Sequence, residues 1–217
     1  MNYKNTIVLA HPLVKQNLAI IRDKDTSRER FLSAFKKLSY FLLMSAYEKL
    51  PTKKRNISTP LENVDVDVID EEYTYIIVPI LRAGLALTDM AVELLPEAHV
   101  LHIGMYRDEE KRTPVWYYDK TPENFPQKTK IFILDPMLAT GGSAVATIDL
   151  FVSKGVRQED IVFVSVLAAP EGIEVLYKAF PDVHIITLAV DKCLNDKAYI
   201  VPGLGDAGDR YFNSIIP

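Results

Sequence analysis

The chain has 217 residues, 48% of them hydrophobic, enough for a substantial core in one α/β domain. Its formal charge of −4 lacks the basic footprint of a general nucleic-acid binder, and its single cysteine, Cys193, excludes an intrachain disulfide. No apolar run approaches the roughly 20 residues of a membrane span, and the start carries no leader-like apolar stretch. The expectation is a soluble, cytoplasmic protein with no membrane or nucleic-acid partner. Its four histidines, His11, His99, His102 and His184, make no metal-ligand spacing with one another or with Cys193.

After a short N-terminal stretch, Phe31, Ala34, Phe35, Leu38, Phe41, Leu42 and Ser45 recur at helical spacing and predict a helix over 27–49. Asp25, Thr26 and Ser27 offer caps before it, and Pro51 closes it. Residues 52–72 are polar, with alternating Val64, Val66 and Val68 that suggest a short strand or hairpin arm. From Tyr75 onward, apolar runs at 75–79, 99–105, 130–134, 161–168 and 183–190 alternate with helical segments near 84–95, 143–154 and 171–180. That alternation predicts an α/β fold with a central parallel sheet flanked by helices. The stretch between Arg107 and Lys130 is charged, punctuated by proline, and holds Trp116, Tyr117 and Tyr118. It reads as a hairpin-like lid, with a dimer contact as the alternative use of its aromatic cluster.

The most informative run is ILDPMLATGGS, residues 133–143: an apolar strand ending in an acid, a small-residue loop, then a helix start. That order puts Asp135 at the strand's carboxyl end. It also lets backbone N–H groups around Ala139, Thr140, Gly141, Gly142 and Ser143 converge on a phosphate. No Gly-Lys-Ser/Thr follows the glycines, and GxGxxG spacing is absent, so neither a Walker A loop nor a dinucleotide fingerprint fits. Ligands of open α/β sheets bind beyond the carboxyl ends of the strands. VPILRAG (78–84) and GMYRDEE (104–110) fall at such ends too. Seven of the nine glycines lie in these segments and in the C-terminal run IVPGLGDAGD (200–209), whereas Gly155 and Gly172 read as turn or cap residues.

The run 133–143 closely resembles the phosphoribosyl-diphosphate (PRPP) loop of type I phosphoribosyltransferases, and DPMLATGGS resembles the uracil phosphoribosyltransferase version. The resemblance extends from HPLVKQNLAIIRDKDTS to DAGD. It is carried most strongly by VPILRAG, GMYRDEE, DPMLATGGSAVATIDL, AAPEGI and VPGLGDAGD. It implies a single domain over 1–217, with an N-terminal helical and arm region (1–74), a core (75–190) and a C-terminal base-binding hood (191–217). The match is weakest at 51–74, which in the family includes an arm used in subunit contact. A homodimer or higher homo-oligomer is therefore implied. Some family members are activated by GTP and change oligomeric state, which makes GTP a candidate effector.

The resemblance further implies transfer of the phosphoribosyl group of PRPP to N1 of uracil, giving UMP and diphosphate. Arg82, Arg107, Asp135, Pro136, Met137, Leu138, Ala139, Thr140, Gly141, Gly142, Ser143 and Asp206 would bind PRPP, with Asp135, Arg82 and Arg107 carrying the catalysis. Ile200, Gly205, Asp206 and Ala207 would line the uracil pocket. The transition state carries positive charge on the sugar and growing negative charge on the diphosphate, which calls for cations, N–H donors and a metal. Mg2+ held through the diphosphate is the implied cofactor, with no direct protein ligand assigned. The resemblance also implies a non-proline cis peptide beside Arg82, Arg82–Ala83 being the bond in question. A phosphoribosyltransferase for another base is the rival within the class, and Asp135-Pro136 with 200–209 argues against it. An RNA-binding regulator is the rival outside it, but the only basic cluster, Lys53-Lys54-Arg55, reads as a solvated loop.

Overall fold

The computed structural model describes residues 5–107 and 114–214. In chain order the elements are β1 (Thr6–Val8), α1 (Pro12–Arg22), α2 (Arg28–Tyr47), β2 (Thr52–Ser58), β3 (Asn63–Ile69), β4 (Thr74–Leu81), α3 (Leu85–Leu94), β5 (His99–Val100), β6 (Ile103–Arg107) and β7 (Pro114–Asp119). There follow β8 (Thr129–Leu134), β9 (Met137–Leu138), α4 (Gly142–Ser153), β10 (Ile161–Ala168), α5 (Pro170–Ala179), β11 (His184–Val190), β12 (Cys193–Leu194), β13 (Ile200–Val201) and α6 (Ala207–Phe212).

The central sheet runs β1-β11-β10-β8-β4-β6-β7, with β5 on β4 and β9 on β10. All its pairings are parallel except β6 with β7. Its strands read as continuous apolar runs because both faces are covered. Ile77, Phe132, Val162 and Ile186 pack on one face with α1, α2 and α3. Their neighbours Ile76, Ile131, Phe163 and Ile185 pack on the other with α4 and α5. The period of two thus separates two apolar layers on opposite sides of one sheet.

Several expectations are met with small changes of boundary. The helix over 27–49 is α2, capped by Ser27, whose side chain accepts from the Arg30 N–H. The apolar run at 99–105 is broken into β5 and β6, which pair with β4 in one continuous register around Leu101 and His102. The stretch after Arg107 begins as a hairpin: β6 pairs antiparallel with β7, with an irregularity between Gly104 and Met105. Residues 108–113, which include the acids of GMYRDEE, lie outside the described residues.

Other features depart from expectation. The N-terminal stretch contains both β1 at the sheet edge and α1, whose Pro12 opens the helix behind a cap made by His11 Nδ1. Lys53-Lys54-Arg55 is strand, not loop. It lies in β2, which pairs with β3 to form an isolated two-stranded arm. Each of the three cations has an acidic partner there, Lys53 with Asp70, Lys54 with Asp67 and Arg55 with Glu71. The cluster is neutralised where it stands. No described helix is long and apolar enough to cross a membrane.

Gly84 fixes how the turn after β4 meets the end of β8. A Cβ there would lie 2.3 Å from the Leu134 carbonyl oxygen and 2.6 Å from the Ile80 nitrogen, so the two backbones touch where any side chain would stand. Gly84→Ala is therefore expected to cost roughly 1–3 kcal/mol, read as a lowered midpoint in chemical denaturation. An unchanged midpoint would show that the turn has room to move.

Candidate active site

The carboxyl ends of β4, β6 and β8 deliver the three segments singled out in the sequence. At the end of β8 the ladder is interrupted without losing register, since β9 resumes the pairing with β10 that β8 leaves. Asp135 donates its N–H to the Val164 carbonyl, and the Pro136 carbonyl accepts from both Val166 and Leu167. Proline has no N–H to give the ladder, so the chain kinks there and turns the Asp135 side chain into a cavity. Beyond β9, Gly141 adopts a left-handed φ of 80° as the N-cap of α4, with no side chain capping the helix. The first-turn N–H groups of α4 have no intrahelical partners and no acid beside them, which suits an anion.

Two cavities meet at this point. One, of about 180 Å3, is formed by Asp135, Met137, Leu138 and the run from Ala139 to Ala144. The other, of about 200 Å3, lies between Asp135, Met137 and Ala139 on one side and Ile200, Gly205, Asp206 and Ala207 on the other. Asp135, Met137 and Ala139 wall both. The phosphate loop and the C-terminal run, some 65 residues apart in sequence, thus share one recess. Asp206 caps α6 by accepting from the Asp209 N–H at 2.8 Å, and a Cβ on Gly208 would come within 3.8 Å of the Ala83 Cβ. The hood helix therefore rests against the turn that carries Arg82.

Arg82 itself lines neither cavity. Its side chain is 65% exposed, stands at the rim, and among the described residues is held only by a 3.7 Å ion pair with Asp209. The cis peptide is present but precedes Arg82: it is Leu81–Arg82, not Arg82–Ala83. Arg107 ends β6, and its side chain lies outside the described residues. Pro136 is buried and lines neither cavity; its carbonyl belongs to the sheet. The remaining expected positions all reach the recess.

Residues that sequence reasoning passed over complete it. Ala83, Ala198, Tyr199 and Gly208 line the hood-side cavity. Ala198 adopts a positive φ of 62° in a turn organised by Asn195, whose side-chain oxygen accepts from Lys197 and Tyr199. Gly172 is more than a cap residue. It lies in the first turn of α5, where a Cβ would sit 2.4 Å from the Ala139 carbonyl and 2.9 Å from that of Leu138. The phosphate loop lies directly on this glycine, a closeness that AAPEGI gave no local sign of.

The sequence profile described as uracil phosphoribosyltransferase matches residues 8–214. The chain belongs to the uracil phosphoribosyltransferase family. Curated uracil phosphoribosyltransferases similar to it include that of Dictyoglomus thermophilum, 49% identical over 96% of this chain and 99% of the relative. Another is that of Lactococcus lactis subsp. lactis, 44% identical over 95% and 97%. A solved protein structure from Aquifex aeolicus superposes with a TM-score of 0.85 at 34% identity, covering 98% of this chain and all of that one. The adenine phosphoribosyltransferase of Leishmania donovani shares the fold, with a TM-score of 0.54 at 15% identity over 89% and 87% of the two chains. The α/β sheet flanked by helices is the type I phosphoribosyltransferase fold in this family.

Burial pushes the Asp135 carboxyl up to about 7, with the Met137 N–H acting weakly the other way. The folded value exceeds the unfolded one. Below the unfolded value of 3.8 the group therefore contributes no pH dependence. Between 3.8 and about 7 the unfolded chain releases its proton first, so stability falls as pH rises; above about 7 the full cost is present. Asp135→Asn removes that cost. Without ligands the variant should be more stable than the parent at about pH 8 by roughly 2–4 kcal/mol, the gap closing toward pH 4. Parallel stability curves would contradict this.

Gly172→Ala should displace the loop it supports. The expected result is a weakened KM for PRPP, about tenfold, with uracil affected less. An unaltered PRPP KM would mean that the loop does not depend on this contact.

Proposed function

We propose that the chain performs the reaction for which its family is named, moving the phosphoribosyl group of PRPP to N1 of uracil and releasing UMP and diphosphate. The observation that carries this reading is the common wall of Asp135, Met137 and Ala139 between a phosphate-sized recess and a hood-lined one. The 5′-phosphate sits on the N–H groups of Ala139, Thr140, Gly141, Gly142 and Ser143. Asp135 accepts from the ribose hydroxyls and Arg82 faces the diphosphate, with Arg107 on the next strand end sharing that task. Uracil lies against Ile200, Gly205, Asp206 and Ala207, where backbone donors and acceptors match its two carbonyls and N3–H.

In the transfer the bond from ribose C1 to the diphosphate oxygen breaks, C1 joins uracil N1, and the N1 proton is released. No described side chain in the recess is placed as a general base, so the residues act by position and electrostatics. Arg82, exposed and loosely paired, is free to swing from Asp209 to the leaving group. Mg2+ would be held chiefly through diphosphate oxygens and water. Asp206, exposed on the hood wall, is the carboxylate that would face it. When bound, the ion offsets charge on the departing diphosphate.

The whole chain serves as one domain in this reading, with 1–74 as helical and arm region, 75–190 as core and 191–217 as hood. The β6–β7 hairpin covers the substrates and excludes water from PRPP. A homodimer or higher homo-oligomer forms through the arm, whose Ile57, Leu61 and Val64 are exposed. GTP is the candidate effector, and a reducing cytoplasm suits the free Cys193.

Product analysis with uracil, PRPP and magnesium tests the reaction. UMP should form with uracil and not with cytosine or adenine. Asp135→Asn should lower kcat/KM about 10–100-fold, the loss expected when a charged hydrogen-bond acceptor is neutralised. Equal rates for parent and variant would remove the role given to this carboxylate.

A further inference from the structure

The base-binding segment is gripped from behind by charged side chains that come from elsewhere in the chain. Arg22, the last residue of α1, donates Nη1 to Asp191 Oδ2 at 2.8 Å and Nη2 to Asp191 Oδ1 at 2.6 Å. This is a two-pronged ion pair of the kind that fixes direction as well as distance. The same Arg22 Nη1 reaches the Gly203 carbonyl at 2.8 Å, while the Gly203 N–H donates to Asp191 Oδ2 at 2.8 Å. Both backbone polar groups of Gly203 are therefore taken by one ion pair. Asp191 is itself tied to the sheet, donating its N–H to the Ala168 carbonyl at the end of β10. Its side chain is only 5% exposed, against 23% for Arg22.

A second arginine holds the next residue. Arg210, on α6, donates Nη1 to the Leu204 carbonyl at 2.9 Å and to the Ile21 carbonyl, and Nη2 to the Asp23 carbonyl at 2.8 Å. Its guanidinium lies 4.5 Å from the centre of the Phe31 ring. The carbonyls of Gly203 and Leu204 are thus both occupied. Gly205, Asp206 and Ala207 follow immediately and form the cavity wall. At Gly203 itself, φ is 61° and a Cβ would stand 2.2 Å from the Ile200 carbonyl, so the turn between β13 and the wall has one tight path.

We propose that Arg22, Asp191 and Arg210 are positioning residues for base recognition: they set the direction of the peptide groups at 205–207 without touching substrate. The proposal rests on the reading that Ile200, Gly205, Asp206 and Ala207 receive the base. A recognition wall made of backbone has no side chains of its own to orient it, so its geometry is inherited from whatever holds the residues before it. Here that support is the end of β10 through Asp191 and the end of α1 through Arg22. The phosphate loop hangs on β9, α4 and Gly172, and it meets the clasp at the Ala168 backbone, an anchor that a substitution at Arg22 leaves in place. Loss of the clasp should therefore separate the two substrates.

The test uses the full chain with Arg22→Met and the milder Arg22→Lys, which keeps the charge but cannot make the fork. Arg22→Met should raise the KM for uracil about tenfold while the KM for PRPP stays within about twofold. Hydrogen exchange should quicken over 200–206 and stay unchanged over 137–143. Arg22→Lys should fall between Arg22→Met and the parent. An unchanged uracil KM, or equal increases for both substrates, would overturn the proposal. If the parent forms no UMP, the proposed reaction fails instead; exchange then decides, with faster exchange confined to 200–206 sustaining the clasp and unchanged exchange refuting it.

Discussion

The site depends on what happens to the chain at Asp135-Pro136. A parallel strand buried on both faces must keep its hydrogen-bond ladder, because an unpaired backbone group there is costly. Proline cannot supply its N–H, yet its carbonyl takes two donors from β10 and the pairing resumes in register at β9. The strand thereby gains a kink without losing its place. That kink leaves Asp135 turned out of the sheet at the junction of two cavities, and it delivers the next residues to the start of α4.

Burial gives the same carboxylate its high pKa, which accords with the ligand-binding role proposed for it. A structural carboxylate in such a place would be expected to have an arginine or lysine beside it, as Asp160 has Arg157 and Lys130. Among the described residues Asp135 has only the Met137 N–H, at 3.4 Å. Arg82, at the end of the neighbouring β4, is exposed and engaged with Asp209. Among the described residues the acid in the recess is therefore uncompensated, and Arg82 stands at its edge. Such an arrangement suits a ligand that brings hydroxyls to the first and phosphates to the second.

What could be read in the sequence was whatever is local. The phosphate loop was legible because strand, acid, glycines and helix start lie within eleven consecutive residues. The arm was legible because Val64, Val66 and Val68 alternate, and the sheet because buried parallel strands are unbroken apolar runs. The helix α1 was also within reach: Pro12 opens it, and Val14, Leu18 and Ile21 share its buried face. Its short apolar set was overlooked beside the longer pattern of α2. Gly172 and the Arg22–Asp191 pair were not legible in this way. The glycine's reason is the carbonyl of Ala139, 33 residues away, and the arginine's partner is 169 residues away. No periodicity records a meeting of that kind.

This difference in range follows a division of labour within the recess. Its phosphate side needs only a helix terminus and small residues, which one stretch of chain can supply by itself. Its other side, proposed to distinguish donors from acceptors on a flat ring, is walled at 205–208 by backbone that has no core of its own. The hood's two-stranded ladder, β12 with β13, is two residues long on each side, too short to be stable alone. Rigidity there has to be imported, and the first two helices supply it. Arg22 and the carbonyls of Ile21 and Asp23 come from the end of α1, and the Phe31 ring comes from α2. On the proposed reading, the N-terminal helices, far from the phosphate loop in sequence and contributing nothing to either cavity wall, are thereby part of how this protein reads a base.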